Sequence, residues 1–272
     1  TYEFTKIVPI AFFNGISIPV WTDVDINAYP SPDTADGSPY RDSASTFANV
    51  IAGAGTAIVE GVSLYSAFIS SAGAGGDSWD IVTTSMMTFD TSFIPSDNTV
   101  DAATLFLKTV TKSDGTGTTP SINIYPANPA SVSDIVIADF TQRGGLALST
   151  EMSYASWSGT TDATNTFAFN ANGLTRVAKS GGTTCATSGT TCLATRNANY
   201  DAASTTPPTP PANQDSELRP ASADAAGVNL DPTLRVTYSL ASTGGDDNLY
   251  ESGSFFQLLW NKLFNRVYAR TN

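Results

Sequence analysis

Histidine is absent from all 272 residues. That absence removes the Ser-His-Asp triad, the Cys-His dyad, His-ligated zinc and any imidazole general base. Charge is scarce as well. Charged residues make up 14% of the chain, against roughly 25% in an ordinary globular domain. What charge there is leans acidic: 25 Asp and Glu against 13 Lys and Arg, a formal net charge of -12. A surface of that sign repels a nucleic-acid backbone and an anionic membrane, so neither is an expected partner. No run of about 20 apolar residues is present to span a bilayer. No Asn-x-Ser/Thr sequon occurs. The glycine-rich stretches GAGTA and SAGAGGDS lack the following Lys-Ser/Thr of a phosphate loop.

Hydrophobic residues reach 41%, enough for a sizeable core in a chain of this length. Ser, Thr, Gly, Asn and Ala take the place of the missing charges, as in a secreted β-protein with a hydroxylated surface. The two cysteines, Cys185 and Cys192, stand in SGGTTCATSGTTCLAT. Two thiols alone do not make a zinc site. The expected arrangement is a local disulfide closing this loop, which implies an oxidising compartment. A redox pair is the alternative. Only Lys179 and Arg196 supply positive charge near them in sequence, which gives thiolate activation little support.

Along the chain, short extended segments and turns alternate. Residues 1–13, TYEFTKIVPIAFF, have extended character, with Val8, Ile10 and Phe12 alternating with Pro9 and Ala11. Asn14-Gly15 is a hairpin signal before ISIPVW. Asp23 to Asp42 is polar with prolines and reads as loop with short strands. In 47–70, Gly53, Gly55, Gly61 and the β-branched residues favour strands over a helix. WDIVTTSMMTFD reads as a strand. Val100–Val110 has the period-2 alternation of a sheet strand, and Ser121–Pro126 is another. A helical turn is expected around Ala138-Asp139-Phe140, and a second over Leu174–Lys179. Thr166–Asn170 is a strand with aromatics on one face. Residues 203–213, ASTTPPTPPAN, read as a Pro-rich extended excursion on the surface. Thr233–Tyr238 is a last strand with Leu234, Val236 and Tyr238 on one face. After a linker, Ser254 caps a predicted amphipathic helix. In FFQLLWNKLFNRVYAR, Phe256, Leu259, Trp260, Leu263, Phe264 and Val267 share a face. Many short strands and one late helix predict an all-β antiparallel sandwich with an appended C-terminal amphipathic helix. The domain reading is an N-terminal arm over 1–19, a sandwich over 20–238, a linker over 239–254 and a helix over 255–270.

FDTSFIP (89–95) followed by VDAATLFL (100–107) resembles the core signature of DNRLRE-type jelly-roll modules, a family that includes carbohydrate-binding modules of secreted bacterial proteins. KSDGTGTTPSINIYPANPAS, YASW, FAFNANGL, ANYDA and DPTLRVTY look like a branch found on environmental bacterial and phage surface proteins. The resemblance spans about residues 20–238 and implies a jelly-roll-like sandwich. Its motifs are strands and turns and carry over no binding residue. The Asn-Arg-Leu-Arg-Glu string of the namesake modules is absent. The first 19 residues, the cysteine loop and the tail have no counterpart in the family.

Candidate chemistry is sparse. Asp23-x-Asp25-x-Asn27 starts like a calcium loop, but position 28 is Ala and the twelfth position is Thr34, so an EF-hand is rejected. A structural calcium on Asp side chains stays open, with Asp77, Asp80, Asp246 and Asp247 as other oxygen-rich spots; otherwise no cofactor is expected. The five glutamates, Glu3, Glu60, Glu151, Glu217 and Glu251, follow no glycosidase pattern, and no enzyme activity is expected. Trp79, Trp157, Tyr154 and Tyr200 are candidates for a sugar-stacking platform. Tyr200, beside the Pro-rich excursion, is the candidate for an exposed glycan contact. The apolar face of the tail helix either folds back on its own sandwich or docks on another subunit; membrane adsorption has only Lys262, Arg266 and Arg270 behind it. The N-terminal strand, Val8, Ile10 and Phe12, invites β-augmentation of a neighbour. The expected role is an extracellular structural subunit or decoration of a filament, appendage or virion surface. Its expected partners are copies of itself or neighbouring surface or virion proteins. A carbohydrate-binding or adhesion module, with polysaccharide as partner, is the alternative.

Overall fold

A computed structural model describes residues 11–13, 16–18, 23–30, 36–73, 76–226 and 230–239. In chain order the elements are β1 (Ala11–Phe13), β2 (Ile16–Ile18), β3 (Asp23–Ala28), β4 (Asp36–Ser45), α1 (Phe47–Ala52), β5 (Ala57–Val59), β6 (Ile69–Ser71), β7 (Trp79–Asp90), β8 (Thr99–Asp114) and β9 (Ile122–Pro126). There follow a 3-10 turn (Ile137–Thr141), β10 (Thr164–Ala168), α2 (Ala171–Arg176), β11 (Thr190–Asn197), a π-helical turn (Ala198–Ala202), β12 (Asp215–Pro220) and β13 (Thr233–Ser239). Every strand pairing among them is antiparallel. The all-β sandwich expected from the sequence is present. Phe12 lies in β1, which pairs with β2 across Asn14-Gly15 with Phe13 opposite Ile16. That is the register a two-residue Asn-Gly hairpin sets. Val8, Ile10 and the whole segment 240–272, with the predicted helix and its Phe256, Leu259, Trp260, Leu263, Phe264 and Val267, lie outside the described residues.

One hydrogen-bonded path, β3-β13-β8-β12-β6-β7-β11-β9, wraps into two layers. The first layer is β3, β13, the first half of β8, and β10 on the other side of β8. The second is β4, β7, β11 and β9. The far half of β8 and the near half of β7 join the layers through β12 and β6. The main core lies between the layers. Ile26, Leu105, Leu107, Phe167, Leu234 and Val236 from the first meet Met87, Phe89, Ile122, Ile124 and Leu193 from the second. Alternation explains this directly: Leu105 and Leu107 point in while Phe106 and Lys108 stay partly exposed, and β13 does the same with Leu234, Val236 and Tyr238.

The second layer is buried on both faces. Leu193 faces the main core, while Cys192 and Ala194 face a second cluster with Met86, Tyr125, Ala127, Ile135 and Cys185. The 3-10 turn, the loops beside it and the π-helical turn cover that outer face. A third cluster, Phe47, Val50, Ile69, Trp79 and Val82, closes one end.

Three local expectations are corrected. Residues 36–45 form a ten-residue strand rather than loop, because both edges of β4 find partners, β5 and β7. Residues 47–52 form a helical turn rather than a strand. Phe47 and Val50, three apart and both buried, are the inward face of that turn. The chain leaves it at Gly53, where a side chain would overlap the Arg41 guanidinium. The cysteine stretch contributes an eight-residue strand, β11. All eight residues are buried, so no alternation marks it.

Candidate assembly surface

β13 is held between β8 and β3, and its inward side chains anchor it in the core. β3 ends the path and, among the described residues, pairs only with β13. The register places Ser239 opposite Asp23 and Tyr238 opposite Val24. The chain therefore enters the sandwich and leaves it side by side, at one end of one layer. Asp25 and Asn27 alternate with the buried Ile26 and Ala28 and form a polar row on this end strand. The Thr237 hydroxyl donates to the Asp25 carboxylate across the pair. Charge on an edge strand discourages indiscriminate strand pairing.

The remaining sequence candidates separate clearly. Cys185 and Cys192 form a disulfide with Cα atoms 5.9 Å apart, buried under the loops that cover the second layer. The bridge closes an eight-residue loop. Chain entropy then predicts that replacing both cysteines with alanine lowers stability by about 2.5 kcal/mol, read as the shift of a urea midpoint at constant slope. An unshifted midpoint would show that the loop is held without the bridge.

Trp79 and Trp157 are fully buried, so these two candidates for a sugar-stacking platform are core residues. Trp79 packs edge-on against Phe47 at 5.5 Å. Trp157 belongs to the main core. Tyr154 is half-buried, with the Lys112 ammonium 4.4 Å above its ring. Tyr200 is half-buried rather than exposed: its ring meets Phe47 at 6.5 Å and its hydroxyl donates to the Thr118 carbonyl at 2.9 Å. Of the described aromatic side chains from Tyr29 to Tyr238, none is exposed.

Asp77 Oδ1 accepts the Phe47 amide at 2.9 Å, the start of α1. Among the described residues no three acidic or sulfur side chains converge as metal ligands. Asp80 sits beside Asp42. Burial, then the Asp42 carboxylate and more distantly Asp215, hold its carboxyl above the usual range. A carboxyl raised on folding contributes stability below its unfolded pKa, and that contribution is lost as pH rises through the folded value. Asp80→Asn is therefore expected to raise the thermal midpoint modestly at pH 7 and to give no gain near pH 3. A gain of equal size at both pH values would contradict this.

One cluster has no signal in the sequence. Asp201, fully buried in the π-helical turn, is gripped by two arginines. Arg196 on β11 donates Nε to Oδ2 at 2.8 Å and Nη2 to Oδ1 at 2.9 Å. It also reaches the Gly144 carbonyl at 2.8 Å. Arg143 reaches Asp201 Oδ1 at 3.2 Å, Thr84 Oγ1 at 2.7 Å and the Ile51 carbonyl at 3.0 Å, and stacks 3.7 Å over Phe140. Burial lowers the Arg143 guanidinium to about 10, with Asp201 opposing and Arg196 adding to the shift. The donors come from residues 58 and 5 positions from the acceptor. The short spacing alone does not distinguish such a triad from solvated charges. Its bonds go to carbonyls and hydroxyls of α1, β7 and the covering loops, so it fastens α1 and those loops to the second layer.

Two comparisons with known proteins return no relatives: no family model matches the chain, and no curated protein matches it.

Proposed function

We propose that this chain is a non-enzymatic extracellular structural protein, a subunit or decoration of a filament, appendage or virion surface, assembling with copies of itself or with neighbouring surface proteins through its terminal segments. The observation that carries this reading is the pairing of Asp23 with Ser239. It brings the point where the chain enters the sandwich beside the point where it leaves, on the end strand and its neighbour. The sandwich strands supply a large core of their own, from Ile26 to Tyr238. The tail sequence carries an apolar stripe from Phe256 to Val267, which in water calls for a cover. A neighbouring subunit supplies one by helix-in-groove docking, and linkage through both segments multiplies weak contacts into a stable array. A buried disulfide and a surface poor in charge suit extracellular life.

We also propose a kinship with the DNRLRE-type jelly-roll modules, on the reading that FDTSFIP is a core-and-turn device. Phe89 and Ile94 are fully buried, and Asp90 Oδ1 accepts the Ser92 amide at 2.9 Å to shape the turn into β8. That likeness bears on fold and not on ligand.

Light scattering during size exclusion tests the assembly reading, with the full chain beside a chain ending at Ser239. The expected result is concentration-dependent multimers for the full chain and a monomer for the shorter one. Two monomers at high concentration would overturn it.

A further inference from the structure

The Pro-rich excursion between the π-helical turn and β12 carries a regularity of its own. Its sequence is one triplet repeated, Thr206-Pro207-Pro208 then Thr209-Pro210-Pro211. Burial follows the same repeat: Pro207 and Pro210 are buried, while Thr206, Thr209, Pro208 and Pro211 are exposed. A period of three is that of the polyproline II helix. Proline imposes it by fixing φ and by holding the residue before it extended. One edge of this short helix lies against the body and the threonine edge faces outward. The two threonines stand one turn apart, about 9 Å. Both ends are pinned. The Ser204 amide donates to the Asp201 carbonyl at 3.2 Å and the Thr205 amide to the Tyr200 carbonyl at 3.0 Å. At the other end Ser71 Oγ donates to the Pro211 carbonyl at 2.6 Å and accepts the Gln214 amide at 3.0 Å.

Loop threonines ordinarily turn their hydroxyls onto nearby backbone amides, often two residues ahead. Both residues that follow Thr206 are prolines, and so are both that follow Thr209. Proline has no N–H to offer. Among the described residues neither hydroxyl has a hydrogen-bond partner, whereas adjacent Thr205 donates to the Ala203 carbonyl at 3.4 Å. We propose that Thr206 and Thr209 are O-glycosylation sites. A glycosyltransferase needs an exposed hydroxyl on extended backbone, and here two are held in that state with no bond to break. Pro-rich Ser/Thr segments of extracellular proteins are the class that carries such sugars. In the transfer, threonine Oγ1 attacks the anomeric carbon of a hexose or N-acetylhexosamine activated as its nucleotide or lipid phosphate. The glycosidic C–O bond forms as the bond to phosphate breaks. The phosphate leaves with the electron pair, and the hydroxyl proton passes to a base on the transferase.

The test is peptide mapping of the protein secreted by its native cells. Arg219 precedes Pro220, so trypsin leaves one peptide over 197–235, and electron-transfer fragmentation locates any added mass. The expected result is hexose or N-acetylhexosamine on Thr206 and Thr209. The double variant Thr206→Val/Thr209→Val, made in the same cells, is expected to lose that mass and keep its thermal midpoint. A peptide at its unmodified mass, or sugar confined to Ser204 or Thr205, would overturn the assignment. Neither result depends on whether the terminal segments drive assembly.

Discussion

Replacing Asp201 with alanine is expected to cost about 3–5 kcal/mol of folding stability, a large share of what a domain has to lose. The carboxylate is fully buried and answers two guanidinium groups at 2.8 and 3.2 Å. Removing it leaves Arg143 and Arg196 facing one another with no counter-charge. Side-chain exposures of 6% and 10% leave them little water. The cost is that of two orphaned charges rather than the worth of two bonds. A triple variant that replaces Arg143, Arg196 and Asp201 with apolar residues of similar volume is therefore expected to lose much less than the single change. Chemical denaturation of both variants reads this directly. The loss from Asp201→Ala should persist in 1 M salt, because buried pairs are screened far less than exposed ones. A single-variant loss below about 0.5 kcal/mol, the range of ordinary surface substitutions, would mean that water already reaches the cluster.

Trp79→Ala should cost about as much, roughly 3–5 kcal/mol, by a different route. The indole fills the end cluster between Phe47, Val50, Ile69 and Val82. Its truncation leaves a cavity that strands on two sides prevent from collapsing, since β7 pairs with both β4 and β6 there. Trp79→Phe separates packing from polarity. The indole Nε1 is buried with no partner among the described residues, and phenylalanine removes that unmatched donor together with part of the volume. The two effects oppose, so the expected loss for Phe is well under half of that for Ala. If the two variants lost equal stability, the indole N–H would be satisfied by bound water and the packing account would be incomplete.

Legibility from sequence followed the way each element is buried. β8 and β13 face the core on one side and solvent on the other, so their period of two is written in the residues. The β1–β2 pairing is equally local, because its two strands are only two residues apart in sequence. The Cys185–Cys192 bridge also joins neighbours, seven positions apart. β11 and β4 were hidden for the opposite reason. Buried on both faces, β11 shows no alternation. β4 runs through polar residues whose burial comes from partners far away, as when Ser38 meets the Ser85 hydroxyl at 2.8 Å, 47 positions on. Trp79 and Trp157 illustrate the limit for candidate sites. Composition supplies an aromatic ring, and only packing decides whether it faces water or core.

Sequence by itself determined the excluded chemistries, the β character of the chain, the local disulfide and the strands with one wet face. Each of these depends on residue identity or on neighbours along the chain. Tertiary structure alone decided that Asp23 lies beside Ser239, that three charged residues share one buried site, and that Pro207 and Pro210 lie inward while Thr206 and Thr209 lie outward. Those facts depend on contacts between segments far apart in the chain. Long-range pairing is set by the collective burial of two layers, which no window of sequence contains.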